Sequence, residues 1–418
     1  MHNAIADRLS GKNIFITGGT GFIGGRVIEK LIDVYQANIK VLVSTYHNLP
    51  RVARYPVEIV QGSILDPEVV NDGMKGCDIV IHCAFGNKGS NAEKRQVTVD
   101  GTKNILDACR INNIDRMVHL STFRVYELYQ EGVLDESGAI SSKRDEYADS
   151  KLEAEKIVLD YHKRYGVPVT ILQPTTVYGP FAPVWTVNVI EQLKKGKVIL
   201  INNGDGYCNA VYIDDVVDAI LLASDNDNAV GEKFLIAPEK PITWREFYQA
   251  YEAILHNDAT VSMSAVDAYT LYKRHNKKNS VVSTIYRLLV NGINNKENLK
   301  KISASREALF TIKVLDKLGI YEHLRNIISR KLHSSHSDLQ DYSSQDNYSK
   351  DMNILTPDKI DYVSKKTVVS ISKAREVLGY NPAFDFKRGI EITKQWIIWA
   401  NLTNEPDQYK QLETHLYN

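Results

Sequence analysis

Tyr147 and Lys151 close the run Tyr147-Ala148-Asp149-Ser150-Lys151, and a spacing of four puts both side chains on one face of a helix. A phenol is a poor base at its ordinary pKa of about 10. A neighbouring ammonium favours the phenolate, and an oxidised nicotinamide ring nearby would do the same. The pair could therefore move a proton. Thr122, in Ser121-Thr122 at the end of an apolar run, could hydrogen-bond the reacting oxygen and share its proton with Tyr147, though a strand-end threonine often bonds only its own backbone. A solvated helix face would carry the same Tyr-x-x-x-Lys letters, so the pair gains meaning from what stands 123 residues before it. There the turn Gly18-Gly19-Thr20-Gly21-Phe22-Ile23-Gly24 follows the apolar run Ile14-Phe15-Ile16-Thr17 and leads into a helical pattern. Glycines at Gly18, Gly21 and Gly24 would let backbone amides and a helix N-terminus meet the pyrophosphate of a dinucleotide.

These residues need a scaffold, and the chain between 13 and about 175 supplies one by alternating short apolar runs with helical patterns. That is the signature of an α/β fold, a Rossmann-type doubly wound parallel sheet. Strands are expected at 13–17, 40–44, 57–61, 78–83, 116–121 and 169–173. Ligands in such sheets sit at the carboxyl ends of the strands, so Gly18, Ser44, Ser63, Ala84, Thr122 and Pro174 mark one rim. A further strand and helix are expected at 210–220, returning to the first domain, and a helix at 244–255 with Thr243 as its N-cap. Residues 271–335 hold 14 Lys or Arg against 4 Asp or Glu. Residues 305–318 and 322–332 within them are expected to be helical, and 334–350, rich in Ser, Asp, Gln and Tyr, a surface loop. Order resumes at 368–378, stopped by Gly379 with Pro382 behind it. The expected division is 1–174 and 207–237 for the dinucleotide-binding domain. A smaller, mostly helical C-terminal substrate domain takes 175–206 and 238–418, with a basic helical insertion near 264–350.

At 418 residues the chain can afford a large core, and 51 basic residues against 51 acidic give no pull toward nucleic acid. Cys77, Cys83, Cys109 and Cys208 are scattered, which argues for free thiols in a reducing compartment. No run of about 18 apolar residues occurs, and a soluble cytoplasmic protein is the expectation.

The ordered motifs resemble the extended short-chain dehydrogenase/reductases, in their NAD-dependent epimerase/dehydratase branch. The likeness runs through residues 17–24, through Asp78-Ile79-Val80-Ile81-His82-Cys83-Ala84, and through Val99-Asp100-Gly101-Thr102. It continues in Ser121-Thr122 with Val125-Tyr126, in Tyr147 to Lys151, in Pro174 with Val177-Tyr178-Gly179-Pro180, and in Leu378-Gly379-Tyr380-Asn381-Pro382. The resemblance implies a catalytic set of Thr122, Tyr147 and Lys151, with Lys151 also holding the nicotinamide ribose. It implies a cofactor site of Gly18, Gly21, Phe22, Ile23, Gly24, Ser44, Arg51, Ser63, Ile64, Ala84, Tyr147, Lys151 and Pro174, and a substrate side of Phe85, Phe123, Arg124 and Thr176. A homodimer is implied as well, and no metal.

The departures bear on the substrate. Where the 4,6-dehydratases of this branch carry an Asp-Glu pair, this chain has Phe123-Arg124, which argues against elimination of water. The arginine that commonly meets a nucleotide diphosphate is absent from 204–212, Gln173 stands where an arginine often precedes the proline, and Thr98 where an asparagine often stands. Arg124 could supply the missing cation or make a surface salt bridge. At the end of the second strand Ser44-Thr45 replaces the acidic residue that would chelate the ribose of NAD, and Arg51 and Arg54 follow. If not merely solvated, those arginines could meet a 2′-phosphate, which leans the cofactor from NAD toward NADP.

His82 in its apolar strand reads as a satisfied core histidine, His333 and His336 as a poor metal site, Asp214-Asp215 as helix caps, and Trp396 with Trp399 as a core-facing stripe. The basic segment 271–335 reads as a helical lid with a solvated face, or as a surface for an anionic or lipid-linked substrate or membrane. The expected function is an NAD(P)-dependent epimerase or oxidoreductase on a small-molecule secondary alcohol and its ketone, a sugar or nucleotide-sugar first. A dehydrogenase or reductase of a lipophilic, steroid- or flavonol-like alcohol is the alternative, and a non-catalytic NAD(P)-binding sensor or scaffold the rival from another class.

Overall fold

A computed structural model describes residues 9–128, 131–141, 145–278 and 354–403. The expected helices at 305–318 and 322–332, the loop at 334–350, His333 and His336 lie outside the described residues, as does most of the basic segment.

Seven parallel strands form the central sheet: β1 (Asn13–Thr17), β2 (Asn38–Val43), β3 (Glu58–Gln61), β4 (Ile79–His82), β5 (Arg116–Leu120), β6 (Val169–Pro174) and β7 (Lys233–Ile236). Their order is β7-β6-β5-β4-β1-β2-β3, so the winding reverses between β1 and β4, where open α/β sheets bind ligands. Every residue of β4, β5 and β6 is buried, as expected of strands covered on both faces. The strand expected at 210–212 forms and leads into a helix, and it pairs in parallel with Thr176–Tyr178, outside the central sheet. The seventh place goes to β7, which pairs with β6. Its four residues, opened by a lysine, are too short and too polar at the start to announce a strand.

Helices α1 (Phe22–Asp33), α2 (Pro67–Met74), α3 (Asn91–Ile111), α4 (Glu146–Tyr165), α5 (Asn188–Lys195), α6 (Ile213–Asp225), α7 (Trp244–Leu255), α8 (Ala265–Lys278), α9 (Pro357–Val363) and α10 (Phe386–Trp399) complete the regular elements that matter here. Helices α3 and α4 pack side by side over one face of the sheet. A Ser90–Glu93 capping box opens α3, and α4 starts at Asp145, whose carboxylate accepts from the Ala148 amide at 2.9 Å. Gly166, at φ +70°, ends α4 in the left-handed conformation. On the other face α1 meets α6 through Arg26–Asp214 at 2.6 Å and through Lys30–Asp218.

Asp214 and Asp215 are therefore not caps, because the N-cap of α6 is Tyr212 and has no side-chain bond. Asp215 is buried, accepts from the Ala383 amide at 2.7 Å, and is pushed up to about 7 by that burial. Thr243 does cap α7, in a box with Glu246. The last helices and the small sheets stack around Tyr178, Tyr212, Phe247 and Phe386. The stripe expected on α10 is only half inward: Trp396 packs on Phe181 at 4.9 Å, whereas Trp399 is 68% exposed. A period near 3.6 carries Trp399 past the contact that Trp396 and Ile397 make. The four cysteines are free and buried. Among the described residues no helix is long and apolar enough to cross a membrane.

Candidate active site

The glycine turn closes on the end of β4. Gly18 sits at φ +70°, and a Cβ there would stand 2.7 Å from the Ala84 nitrogen. A Cβ on Gly24 would stand 2.4 Å from the Gly18 carbonyl oxygen. The backbone can be this close only without side chains, and α1 then begins at Gly21 with no side-chain cap and no acidic residue in its first turn. Amides at such an end suit an anion. This cradle fits a dinucleotide pyrophosphate, with Phe22 and Ile23 in the first turn of the helix. Thr17 ties the rim together, since its hydroxyl accepts from the Ala84 amide at 3.3 Å and bonds the His82 ring at 2.6 Å. The other His82 nitrogen bonds Thr102 at 2.9 Å, and burial holds the ring down to about 3. His82 is the satisfied core histidine that its strand suggested.

At the far end of the rim Ser44 is exposed after β2, and Ser63 accepts from the Leu65 amide at 3.1 Å in the turn after β3. Ile64 is buried there, against Gly101. Arg51 and Arg54 are not merely solvated. Arg51 donates to the carbonyls of Gly21 and Phe22 at 3.4 and 3.2 Å and to Glu29 at 3.2 Å, and Arg54 donates to the same carboxylate at 2.8 Å. Three arginines, counting Arg26, thus share Glu29 and Asp214 beside the turn, leaving one positive charge in excess.

Thr122, Tyr147 and Lys151 meet at the middle of the rim. Thr122 follows β5 and caps the short turn Phe123–Val125, accepting from the Arg124 amide at 3.3 Å. Tyr147 lies in the first turn of α4, its ring edge-on to Phe85 with centroids 5.7 Å apart. Burial raises its pKa, the Thr122 hydroxyl and the Arg124 charge lower it, and Asp145 raises it. Lys151, one turn on, donates to the Leu120 carbonyl at 2.7 Å and is 2% exposed. Burial pushes it down to about 8, against the pull of Cys83 and Glu155. An ammonium and a phenol so placed could exchange a proton with an oxygen held at Thr122.

Beneath them runs a buried network that sequence reasoning missed. Ser121 and Gln173 both donate to Glu155, Gln173 at 2.9 Å, and the Gln173 oxygen accepts from Tyr126 at 2.9 Å. Lys233 lies 4.9 Å over the Tyr126 ring. Glu155 is raised by burial and lowered by its bonds to Ser121 and Gln173. Two signals were available: Glu155 lies four residues after Lys151 on the same face, and Gln173 holds a position where an arginine was expected. Glu155→Ala strips two buried donors of their acceptor, so it should lower the unfolding free energy by about 3 kcal/mol, whereas Glu155→Gln keeps both bonds and should cost under about 1 kcal/mol. Urea unfolding of the pair measures the difference, and equal losses would show that the network contributes nothing.

Comparison with known proteins fixes the family. The family model "NAD dependent epimerase/dehydratase family" matches residues 14–237, more than half of the chain. The chain belongs to that family. A 2-alkyl-3-oxoalkanoate reductase of Shewanella oneidensis is 30% identical over 256 residues, 58% of this chain and 65% of that protein, just under two thirds of its length. The decarboxylating sterol-4-alpha-carboxylate 3-dehydrogenase of Bos taurus is 27% identical over 56% of this chain and 68% of its own. The fold is shared with UDP-glucuronic acid 4-epimerase from Bacillus cereus, solved with UDP-glucuronic acid and NAD, at a TM-score of 0.62 and 17% identity over 93% of this chain and 99% of that one.

On the substrate side this family member separates the four residues named from sequence. Phe85 is 40% exposed beside Tyr147. Its loop is clamped to α3 by Thr98, whose hydroxyl accepts from the Gly86 amide at 3.0 Å. Arg124 is half-exposed and pairs with Asp145 at 2.9 Å, the salt bridge considered as one of its two roles. Phe123 and Thr176 are buried. Phe123 packs on Tyr362 at 6.2 Å, and Thr176 faces the Cys208 thiol and the Tyr362 phenol. Pro174 is likewise buried at the end of β6.

Proposed function

We propose that this chain is an NAD(P)-dependent oxidoreductase interconverting a secondary alcohol and its ketone, with a lipophilic 3-hydroxy or 3-oxo acid as the substrate class. The observation that carries the reaction is the meeting of Thr122, Tyr147 and Lys151 at the rim that holds the glycine cradle. In the oxidative direction Thr122 holds the substrate hydroxyl, and the Tyr147 phenolate takes its proton. A nicotinamide dinucleotide held at the Gly18–Gly24 cradle would supply the hydride acceptor for the carbinol carbon. The Arg124 charge favours the phenolate, and Phe85 packs edge-on against the phenol. Reduction runs the same steps backward. Thr122→Val should shift the ascending limb of the oxidation pH profile to higher pH, because it removes the first of the interactions that lower the Tyr147 pKa. An unmoved limb would remove Thr122 from that role.

The lipophilic class is favoured over the sugar class by two supports. No arginine fills the diphosphate position, and the exposed side chain against Tyr147 is an aromatic one. The names of the Shewanella and Bos relatives both describe an acid whose carboxylate lies one carbon from the reacting centre. The excess charge at Arg51 and Arg54 supports NADP over NAD. Arg51→Gln should lower the NADPH-over-NADH affinity ratio by about tenfold, the effect expected of one charge-assisted phosphate contact. Fluorescence titration with both nucleotides reads it, and a wild type that prefers NADH overturns the choice. Residues 175–206 and 238–418 supply the substrate side in this reading, and the working unit is a homodimer, which light scattering would test. The decisive assay offers the protein a 2-alkyl-3-hydroxyalkanoate with NADP⁺. Accumulation of reduced nicotinamide fits the proposal, whereas stoichiometric NAD released on denaturation with no net reduction would mark an epimerase.

A further inference from the structure

Arg51 is held by two segments far apart in the chain. Its guanidinium donates to the carbonyls of Gly21 and Phe22 at 3.4 and 3.2 Å and to Glu29 at 3.2 Å. It lies so close to α1 that a Cβ on Gly25 would stand 2.8 Å from its Nε and 2.9 Å from its Cζ. The same Cζ stands 4.6 Å from the centroid of the Phe181 ring, within the reach of a cation over an aromatic face. Phe181 comes to it from the loop after Thr176–Tyr178, with φ at +66°. That left-handed conformation is an outlier for a bulky residue, and strain of this kind persists only where the surroundings impose it, most often at functional sites. The ring packs on Trp396 of α10 at 4.9 Å, yet Phe181 remains 40% exposed. A ring so exposed collects only part of the free energy of burial, so packing alone is a weak reason for the strain. The contact with Arg51 is the other thing that the conformation delivers.

We infer that Phe181 is a positioning residue for the cofactor: backed by Trp396, its ring holds the Arg51 guanidinium over Gly25 and against the glycine turn. The loop after Thr176–Tyr178 and helix α10 thereby set dinucleotide affinity from outside the cradle. This rests on the reading of the turn as the dinucleotide site and of Arg51 as the residue that meets a 2′-phosphate, and it adds what fixes that arginine. Because the carbonyls that Arg51 binds belong to Gly21 and Phe22, at the start of α1, releasing the guanidinium also loosens the turn that any dinucleotide uses.

The test is fluorescence titration with NADPH and with NADH, beside melting curves, on the full chain and its variants. Phe181→Leu keeps an apolar side chain against Trp396 but has no aromatic face, so it should lower NADPH affinity by about fivefold with little change in melting temperature. Phe181→Tyr keeps the face and should keep the affinity. In the Arg51→Gln background Phe181→Leu should cost nothing further, because the partner of the ring is already gone. Gly25→Ala, which displaces the same guanidinium from the α1 side, should bring a loss of like size and is the readout if Phe181→Leu melts early. Affinities untouched by both Phe181→Leu and Gly25→Ala overturn the inference, as does a Phe181→Leu loss that persists in full without Arg51 or a Phe181→Tyr variant as weak as the leucine one. A wild type that prefers NADH sinks the 2′-phosphate reading alone, provided that the Phe181→Leu loss, now shared by both nucleotides, still vanishes in the Arg51→Gln background. A chain that binds neither nucleotide overturns both.

Discussion

Tyr147→Phe should lower kcat by about 10³-fold while changing the cofactor dissociation constant by less than about twofold. The phenylalanine ring keeps the edge contact with Phe85, so packing is retained and only the proton donor is lost. Thr122 remains as a hydroxyl, but an aliphatic alcohol ionises far less readily than a phenol and does not replace it. Steady-state kinetics with a 3-hydroxy acid and nucleotide titration of the same sample separate the two quantities. A variant retaining more than about a tenth of the wild-type rate would show that the proton travels by another route.

Gly18→Ala and Gly24→Ala should each weaken cofactor binding by about a hundredfold or more. The alanine at 18 must accept a left-handed backbone, costing about 1–2 kcal/mol, and a methyl group 2.7 Å from the Ala84 nitrogen. The alanine at 24 meets the Gly18 carbonyl at 2.4 Å, so the turn must open and its amides lose their common aim. Gly76, also at positive φ but with nothing within 4 Å of an added Cβ, is the control. Gly76→Ala should cost stability through its backbone conformation and leave nucleotide affinity unchanged. Calorimetry on the three variants reads this, and equal affinity across them would mean the cradle does not hold the nucleotide.

The glycine turn, the first strand and the Tyr147–Lys151 pair were legible because their signals are local, a few residues with their meaning set by immediate neighbours. Thr243 as a cap was legible for the same reason, while its partner Glu246 came only with the fold. What the letters left open was decided by distant partners. Ala210–Tyr212 has the apolar letters of a central strand, yet it pairs with Thr176–Tyr178, while the less apolar Lys233–Ile236 takes the sheet position beside β6. Asp214 and Asp215 stand where caps belong, but Arg26 and the Ala383 amide claim them from elsewhere in the chain. The Ser121–Glu155–Gln173 network joins segments far apart in sequence, and no periodicity announces such a meeting. Phe123 and Arg124 were read as a departure that argues against one chemistry. The fold shows what they do instead: one anchors α9, and the other pairs with the helix that carries Tyr147.

The most direct test of the central claim is to supply NADPH deuterated at the transferring position of the nicotinamide together with a 2-alkyl-3-oxoalkanoate, and to weigh the product. One deuterium on the new carbinol carbon for each ketone consumed, lost in Tyr147→Phe, is the predicted result. Unlabelled alcohol, or a substrate returned unchanged with its label scrambled between two stereoisomers, would contradict it.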